Sequence, residues 1–242
     1  MSLGHGSSIV RDDLMLHLDA ANIKSYTGTG TVWNDLSGND NNGTLVNGVG
    51  YSIDNKGAML FDGINDYVLN PYSPILTTGD SYSQSCWFRT TSATVGDNGS
   101  NRLIEGRDSN KTGNPLITLV VNLLANNSIG FLVRGQNGIR RDLIVNNVPI
   151  NDGIWKFAHA QILPNATTQL YLNGNIIGTQ LNVVDQRIDL TETPPAIGAK
   201  NLEGNIGSFF SGNISDVKIY NRSLTPIEIR QNFESMRGRY GI

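Results

Sequence analysis

Cysteine is almost missing from this chain. Cys86 is the only one among 242 residues, so no disulfide can form within it. Charge is also scarce: charged residues make up 16%, and 18 Lys and Arg against 21 Asp and Glu leave a formal net charge of −3. Duplex binding needs a basic face that displaces counterions, whereas the basic residues here are scattered apart from Arg140–Arg141, Arg237 and Arg239. Nucleic acid is therefore not an expected partner. No run of 18 apolar residues occurs, which excludes a membrane-spanning helix. Residues 1–8 lack a charged segment followed by an apolar core and do not read as a secretory signal. Synthesis in a reducing cytoplasm is the expectation, and a sequon such as Asn165-Ala166-Thr167 then carries little meaning.

Asn and Gly are what the chain has in excess, 29 and 27 of them. Both tolerate positive φ and dominate tight turns, so the bias predicts many short strands joined by many turns. Residues 1–12 are small and polar and read as a flexible arm, followed by one domain over 13–242. Leu14, Leu16 and Leu18 alternate in a first strand ending at Asp19, and a long polar loop holding Trp33 runs over 25–42. Further strands are expected at 58–61, 66–69, 82–90, 102–105, 116–124, 128–134, 141–145 and 154–162, spaced in the rhythm of a β-sandwich. Asn173-Gly174, set between Leu170-Tyr171-Leu172 and Ile176-Ile177, is a type I′ hairpin signal. A last strand at 213–220 leads into a helix whose start is spelled out by Thr225 as N-cap, Pro226 at the first position and Glu228 closing a capping box. Ile227, Ile229, Phe233 and Met236 are expected to cover the sandwich, and Gly238 to stop the helix. The fold class is thus all-β, two antiparallel sheets closed by a C-terminal helix.

Several blocks resemble a known family. Leu60-Phe61-Asp62-Gly63-Ile64-Asn65-Asp66-Tyr67-Val68 is similar to the FDG-x-x-DYV signature of laminin-G-like, concanavalin A-like jelly rolls. Ser85-Cys86-Trp87-Phe88, Asp152-Gly153-Ile154-Trp155 and Leu170-Tyr171-Leu172-Asn173-Gly174 resemble later strands and the hairpin of that family. Asp35-Leu36-Ser37-Gly38-Asn39 with Gly43-Thr44-Leu45 resembles its early block, and 212–229 its close, so the likeness runs from about residue 14 to 236. A narrower likeness concerns both ends. Residues 1–6 and 237–242 look like those of jelly-roll proteins in virions of tailed bacteriophages. That resemblance implies a non-enzymatic structural or surface protein of the virion, a capsid decoration or accessory component assembled in the host cytoplasm. Its partners would be other virion proteins, reached through the arm or the Arg-Tyr-Gly-Ile tail, with oligomerisation left open. The alternative is a carbohydrate-binding lectin, calcium-dependent or not, with cell-surface glycans as ligands, and a glycoside hydrolase is the third reading.

The chemistry-bearing residues are few. Glycosidases of this fold carry paired carboxylates on one strand, but the only glutamates are Glu105, Glu192, Glu203, Glu228 and Glu234, and none has that spacing. Glu105 with Asp108 comes nearest and reads as a strand end and turn. His5, His17 and His159 lie far apart, no nucleophile pairs with a base, and Cys86 beside Trp87 reads as buried. No catalytic residue is expected. The family resemblance implies a structural Ca2+, for which Asp216, Asp62, Asp66 and Asp19 are the candidate ligands, each with a local turn or backbone role as the competing reading. For a glycan, Trp33, Tyr72 and Asn101 are the candidates, with Tyr51, Tyr82, Asn98, Asn110 and Asn137 in nearby loops. Trp87 and Trp155 read as core.

Overall fold

The computed structural model describes residues 8–93, 101–122, 127–181 and 188–242. Its main strands are β1 (Leu14–Asp19), β2 (Ala58–Asp62), β3 (Tyr82–Arg89), β4 (Asn101–Arg107), β5 (Leu116–Val121), β6 (Ile129–Arg134), β7 (Arg140–Val145), β8 (Lys156–Ile162), β9 (Thr168–Leu172), β10 (Asn175–Gln180) and β11 (Ser211–Tyr220), followed by α1 (Pro226–Tyr240). Two antiparallel eight-stranded sheets form a sandwich. The first runs β10-β9-β8-β3-β11-β2 to the short edge strand Gly50–Ser52, with β1 pairing on the later half of β11. The second runs β7-β6-β5-β4 and continues through Ala196–Ile197, Tyr67–Leu69, Gly43–Val46 and Val32–Trp33.

Strand alternation sorts side chains between two environments. On β3, Cys86 and Phe88 enter the core between the sheets, while Trp87 points to the opposite side. There it meets α1, which lies over the outer face of the first sheet with Ile229, Phe233, Met236 and Tyr240. Trp87 stacks on Tyr240 at 4.1 Å and on Phe233 at 5.7 Å between ring centroids. Among the described residues, no helix is long and apolar enough to cross a membrane.

Local chemistry explains the boundaries. Asn173 and Gly174 both take positive φ, 49° and 78°, as the type I′ turn requires. The capping box at Thr225 and Glu228 is complete. The helix, however, does not stop at Gly238. It continues to Tyr240, and Gly241 in the left-handed region closes it by donating to Arg237 O. Burial of Tyr240 between Trp87 and Trp155 holds the last turn in place. Ile227 is exposed, because the buried positions 229, 233, 236 and 240 share a helix face that 227 does not.

Other expectations change as well. Part of the anticipated free arm is docked: Val10 is buried, its N–H donates to Asn232 Oδ1, and its carbonyl accepts from Tyr220 Oη. Residues 1–7, including His5, lie outside the described residues, as do 123 and 124 at the end of the strand expected over 116–124. The long loop is packed on itself and on β1. Asp35 Oδ1 accepts from the His17 and Ser37 amides, and the Asn41 side chain donates to Met15 O. The early family block therefore covers a strand edge.

Candidate functional site

Among the described residues no helix lies on the outer face of the second sheet, and it is built differently from that of the first. Register places Arg107, Leu116, Arg134 and Arg140 in one row across β4, β5, β6 and β7. Glu105, Thr118, Leu132 and Asp142 form the next row, and Arg102, Val120, Gly130 and Ile144 the third. The extra residue of a bulge in β4 keeps Arg102 on this face, and both Leu103 and Ile104 enter the core. Leu116, Val120 and Leu132, with Ile144 against them, make a small apolar floor separate from the main core. Gly130 sits at its centre, where a Cβ would lie 3.3–3.5 Å from Leu132, Val120 and Ile144 side chains.

The charges over this floor are tightly linked. Glu105 is fully buried and lies 2.8 Å from Arg102 Nε and 3.0 Å from Arg107 Nε, with Thr118 Oγ1 donating to it at 3.3 Å. Arg140 grips Asp142 through Nε at 2.7 Å. Arg134 donates to the Asn114 carbonyl. Burial, then repulsion from Arg107 and Arg140, lowers the Arg134 pKa. At Arg102 burial also dominates and lowers the pKa, although Glu105 opposes it. Arg107, Arg134 and Asp142 are half-buried and Arg140 is exposed, so one side of the cluster reaches solvent.

This array is not laid out for hydrolysis. Glu105 and Asp142 stand three strands apart, about 14 Å at the usual strand spacing, whereas glycosidase carboxyls need about 5–9.5 Å. Asp108, the other partner considered for Glu105, accepts from the Asn110 and Glu192 amides and anchors a turn.

The four calcium candidates separate into two pairs. Asp62 Oδ1 accepts from the amides of Ile64, Asn65 and Asp66, and Asp66 Oδ2 accepts from the Asp62 amide, so this pair closes the Gly63-Ile64-Asn65 turn. Asp19 and Asp216 do converge, together with His17, beneath α1. Their charge is already met. Lys218 Nζ contacts Asp216 Oδ1, His17 Nε2 lies 3.0 Å from Asp216 Oδ2, and Arg239 grips Asp19 with Nη1 at 2.7 Å and Nη2 at 3.0 Å. Burial raises the Asp216 pKa, but Lys218 and His17 outweigh it and hold the carboxylate well below its usual range. A hard cation wants six to eight oxygens, and here an ammonium and a guanidinium occupy the carboxylates. These residues do not fit a calcium cage.

The glycan candidates do not assemble either. Trp33 is fully buried in the main core, because its two-residue strand pairs with Gly43–Val46 and turns the indole inward. Asn101 is buried at the start of β4. Tyr72 is half-buried against the core, which pushes its hydroxyl up to about 12. Tyr82 is buried, Tyr51 packs on Tyr26, and Asn98 lies outside the described residues. Trp87, Trp155 and Cys86 are buried as expected. The sequence sets Arg140 and Arg141 apart only as a basic pair, and nothing local marks Arg102, Arg107, Arg134 and Asp142. The available signal was arginine recurring in consecutive strands, but only pairing register puts those residues in rows.

The chain matches no curated protein by sequence. Among solved structures it is similar to the binding domain of Paraclostridial Mosquitocidal Protein 1, at 18% identity and TM-score 0.69, over 93% of this chain and 52% of that one. It is also similar to the botulinum neurotoxin serotype D ligand binding domain in complex with N-acetylneuraminic acid, at 16% identity and TM-score 0.68, over 93% and 51%. The chain thus spans about half the length of these toxin domains. Domain 4 of AbnA, a GH43 extracellular arabinanase from Geobacillus stearothermophilus in complex with arabinotriose, is similar at 18% identity and TM-score 0.68, over 92% of this chain and 98% of that one. Residues 62–230 match the concanavalin A-like lectin/glucanases superfamily, and with the two-sheet jelly-roll sandwich this shows that the chain belongs to that family.

Proposed function

We propose that this chain is a non-catalytic carbohydrate-binding module whose ligand face is the outer side of the second sheet. One observation carries the reading: the arabinotriose-bound arabinanase domain corresponds to this chain over 98% of its own length, so a single sandwich of this kind suffices to hold a sugar. The toxin domains carry less weight, since half of each lies outside the similarity. The rows of Arg, Glu, Thr and Asp supply directional donors and acceptors on rigid strands, the preorganisation a hydroxyl-rich ligand needs. The 14 Å spread of carboxylates supports binding without cleavage (about three strand spacings).

A glycan array probed with the intact protein tests this. Binding to at least one sugar class is expected, lost in an Arg107→Ala/Arg134→Ala variant and unchanged by calcium. A blank array for the folded protein overturns the reading, and retained binding in the variant moves the site elsewhere.

A second reading, a structural or surface component of a tailed-phage particle, is supported by the likeness of residues 1–6 and 237–242 to virion jelly rolls. Packing reshapes it. Arg239 is held by Asp19 and Tyr240 is stacked on Trp87, so the C-terminal tail serves the domain itself. Attachment to virion neighbours would then run through residues 1–7, and deleting those seven should abolish incorporation into particles; unchanged incorporation overturns this route.

A further inference from the structure

Among the described residues, the outer face of the second sheet holds more positive charge than its own acids neutralise. Arg102 and Arg134 each lie within electrostatic reach of Arg107, Arg140, Glu105 and Asp142, so among the described residues four arginines meet two carboxylates in the cluster. The shortfall is visible residue by residue. Glu105 is shared by Arg102 and Arg107, Asp142 is gripped by Arg140, and Arg134 has a backbone carbonyl where a carboxylate could sit. Arg102 is only 5% exposed, yet among the described residues its Nη1 has no hydrogen-bond partner. A buried donor left without an acceptor is destabilising, and more so when it is charged. The chain as a whole has net charge −3, so this surplus is local.

We propose that this face binds the carboxylate of an acidic sugar residue, a uronic or sialic acid type group, across Arg102, Arg107 and Arg134. The inference rests on the glycan-binding reading and narrows it to anionic glycans. Guanidinium is planar and presents paired donors that match a carboxylate two at a time, whereas a neutral hydroxyl supplies no compensating charge. The apolar floor of Leu116, Val120 and Leu132 lies in the same rows and is itself buried, so the polar contacts of the face come from the charged side chains set among it. Asp142 acts as the competing acceptor that keeps Arg140 occupied when no ligand is bound.

Calorimetric titration of the intact chain tests the proposal with trigalacturonate, trimannuronate and sialyllactose. The first two are paired with their neutral methyl esters and the third with lactose, and sodium sulfate forms a separate arm. At least one acidic probe is expected to bind about tenfold or more tighter than its neutral partner, the worth of one charge-assisted bond. Arg134→Gln should remove about tenfold of that affinity, Arg134→Lys less, and Asp142→Asn should tighten binding by freeing Arg140 (about two- to fivefold). Melting curves of the variants confirm that they are folded. Equal binding of acidic and neutral partners overturns the acidic-sugar inference and leaves the glycan reading standing. Sulfate binding with no sugar of either kind overturns both. Binding that ignores Arg134 and Asp142, or no binding of any probe, overturns the site.

Discussion

The two outer faces of this sandwich both carry buried charge, and they settle it in opposite ways. On the first sheet, Asp216 meets Lys218 and His17, Asp19 meets Arg239, and α1 seals the layer with Lys218 Nζ 3.2 Å from Met236 Sδ. On the second sheet, among the described residues, two carboxylates serve four arginines and no helix covers them. A buried charge that is paired and hydrogen-bonded can be part of a fold, while one in excess strains it. The comparison teaches that the balanced, aromatic-rich face maintains the structure. The unbalanced one is where a ligand can complete the electrostatics.

The strongest way to sharpen this contrast is to damage the sealed face. Trp87 has no exposed surface and touches Phe157, Phe233 and Tyr240. Trp87→Ala should cost about 3–5 kcal/mol, measured by chemical denaturation, from lost burial and the cavity left beneath α1. A cost below about 1 kcal/mol would mean that the helix is not structural, and the comparison would fail.

A pH series should give the next largest effect on the same face. His159 lies in the row of His17, Lys218, Ser85 and Tyr171, packed edge-on to Tyr171 and 3.3 Å from Gln161. Burial drives its pKa down from 6.5 to about 4. The unfolded chain therefore takes up a proton below about 6.5 that the native state refuses until about 4, and stability falls as pH drops through that window, by about 3 kcal/mol. His159→Gln should flatten this slope. A second loss begins lower, because Asp216 is depressed in the fold. Its contribution is present above its ordinary 3.8 and vanishes as pH falls further, so His159→Gln leaves that second slope intact. A wild-type stability that is flat from pH 7 to 4 rules out the neutral buried imidazole.

Smaller still is the cap of α1. Thr225 Oγ1 accepts from the Glu228 amide, and Glu228 Oε2 accepts from the Thr225 amide. Thr225→Ala should lower stability by about 1 kcal/mol in the same denaturation assay.

That cap was legible from four consecutive residues, and so was the Asn173-Gly174 turn, because each is set by chemistry within a few positions. The family blocks were legible for the same reason. Asp35 and Asp62 satisfy nearby amides, and Trp87 owes its place to alternation along one strand. What escaped depends on distant pairing. Trp33 looked like a loop aromatic until a two-residue strand turned it inward, and Asp19 with Asp216 looked like cation ligands until Lys218 and Arg239 arrived beside them. The arginine rows were least legible of all. Arg107, Arg134 and Arg140 become neighbours only when β4, β5, β6 and β7 fall into register.

The smallest expected change in stability is also the one that could break the contrast between the faces. Arg134 is repelled by Arg107 and Arg140, and among the described residues it donates to the Asn114 carbonyl. Replacing it by methionine keeps an unbranched apolar stem and removes one charge from a group that already has too many. If this face is maintained for a ligand, Arg134→Met should leave the melting temperature unchanged or raise it slightly, a gain within about 1 kcal/mol, while binding is lost. The same exchange on the sealed face, Lys218→Met, should destabilise, because it leaves the buried Asp216 without its ammonium partner and with His17 alone in contact among the described residues. Opposite signs for one chemical change on two sheets of one sandwich would fix the division of labour between them. A loss above about 2 kcal/mol for Arg134→Met would instead make the arginines part of the fold, and the surplus charge would no longer point to a ligand.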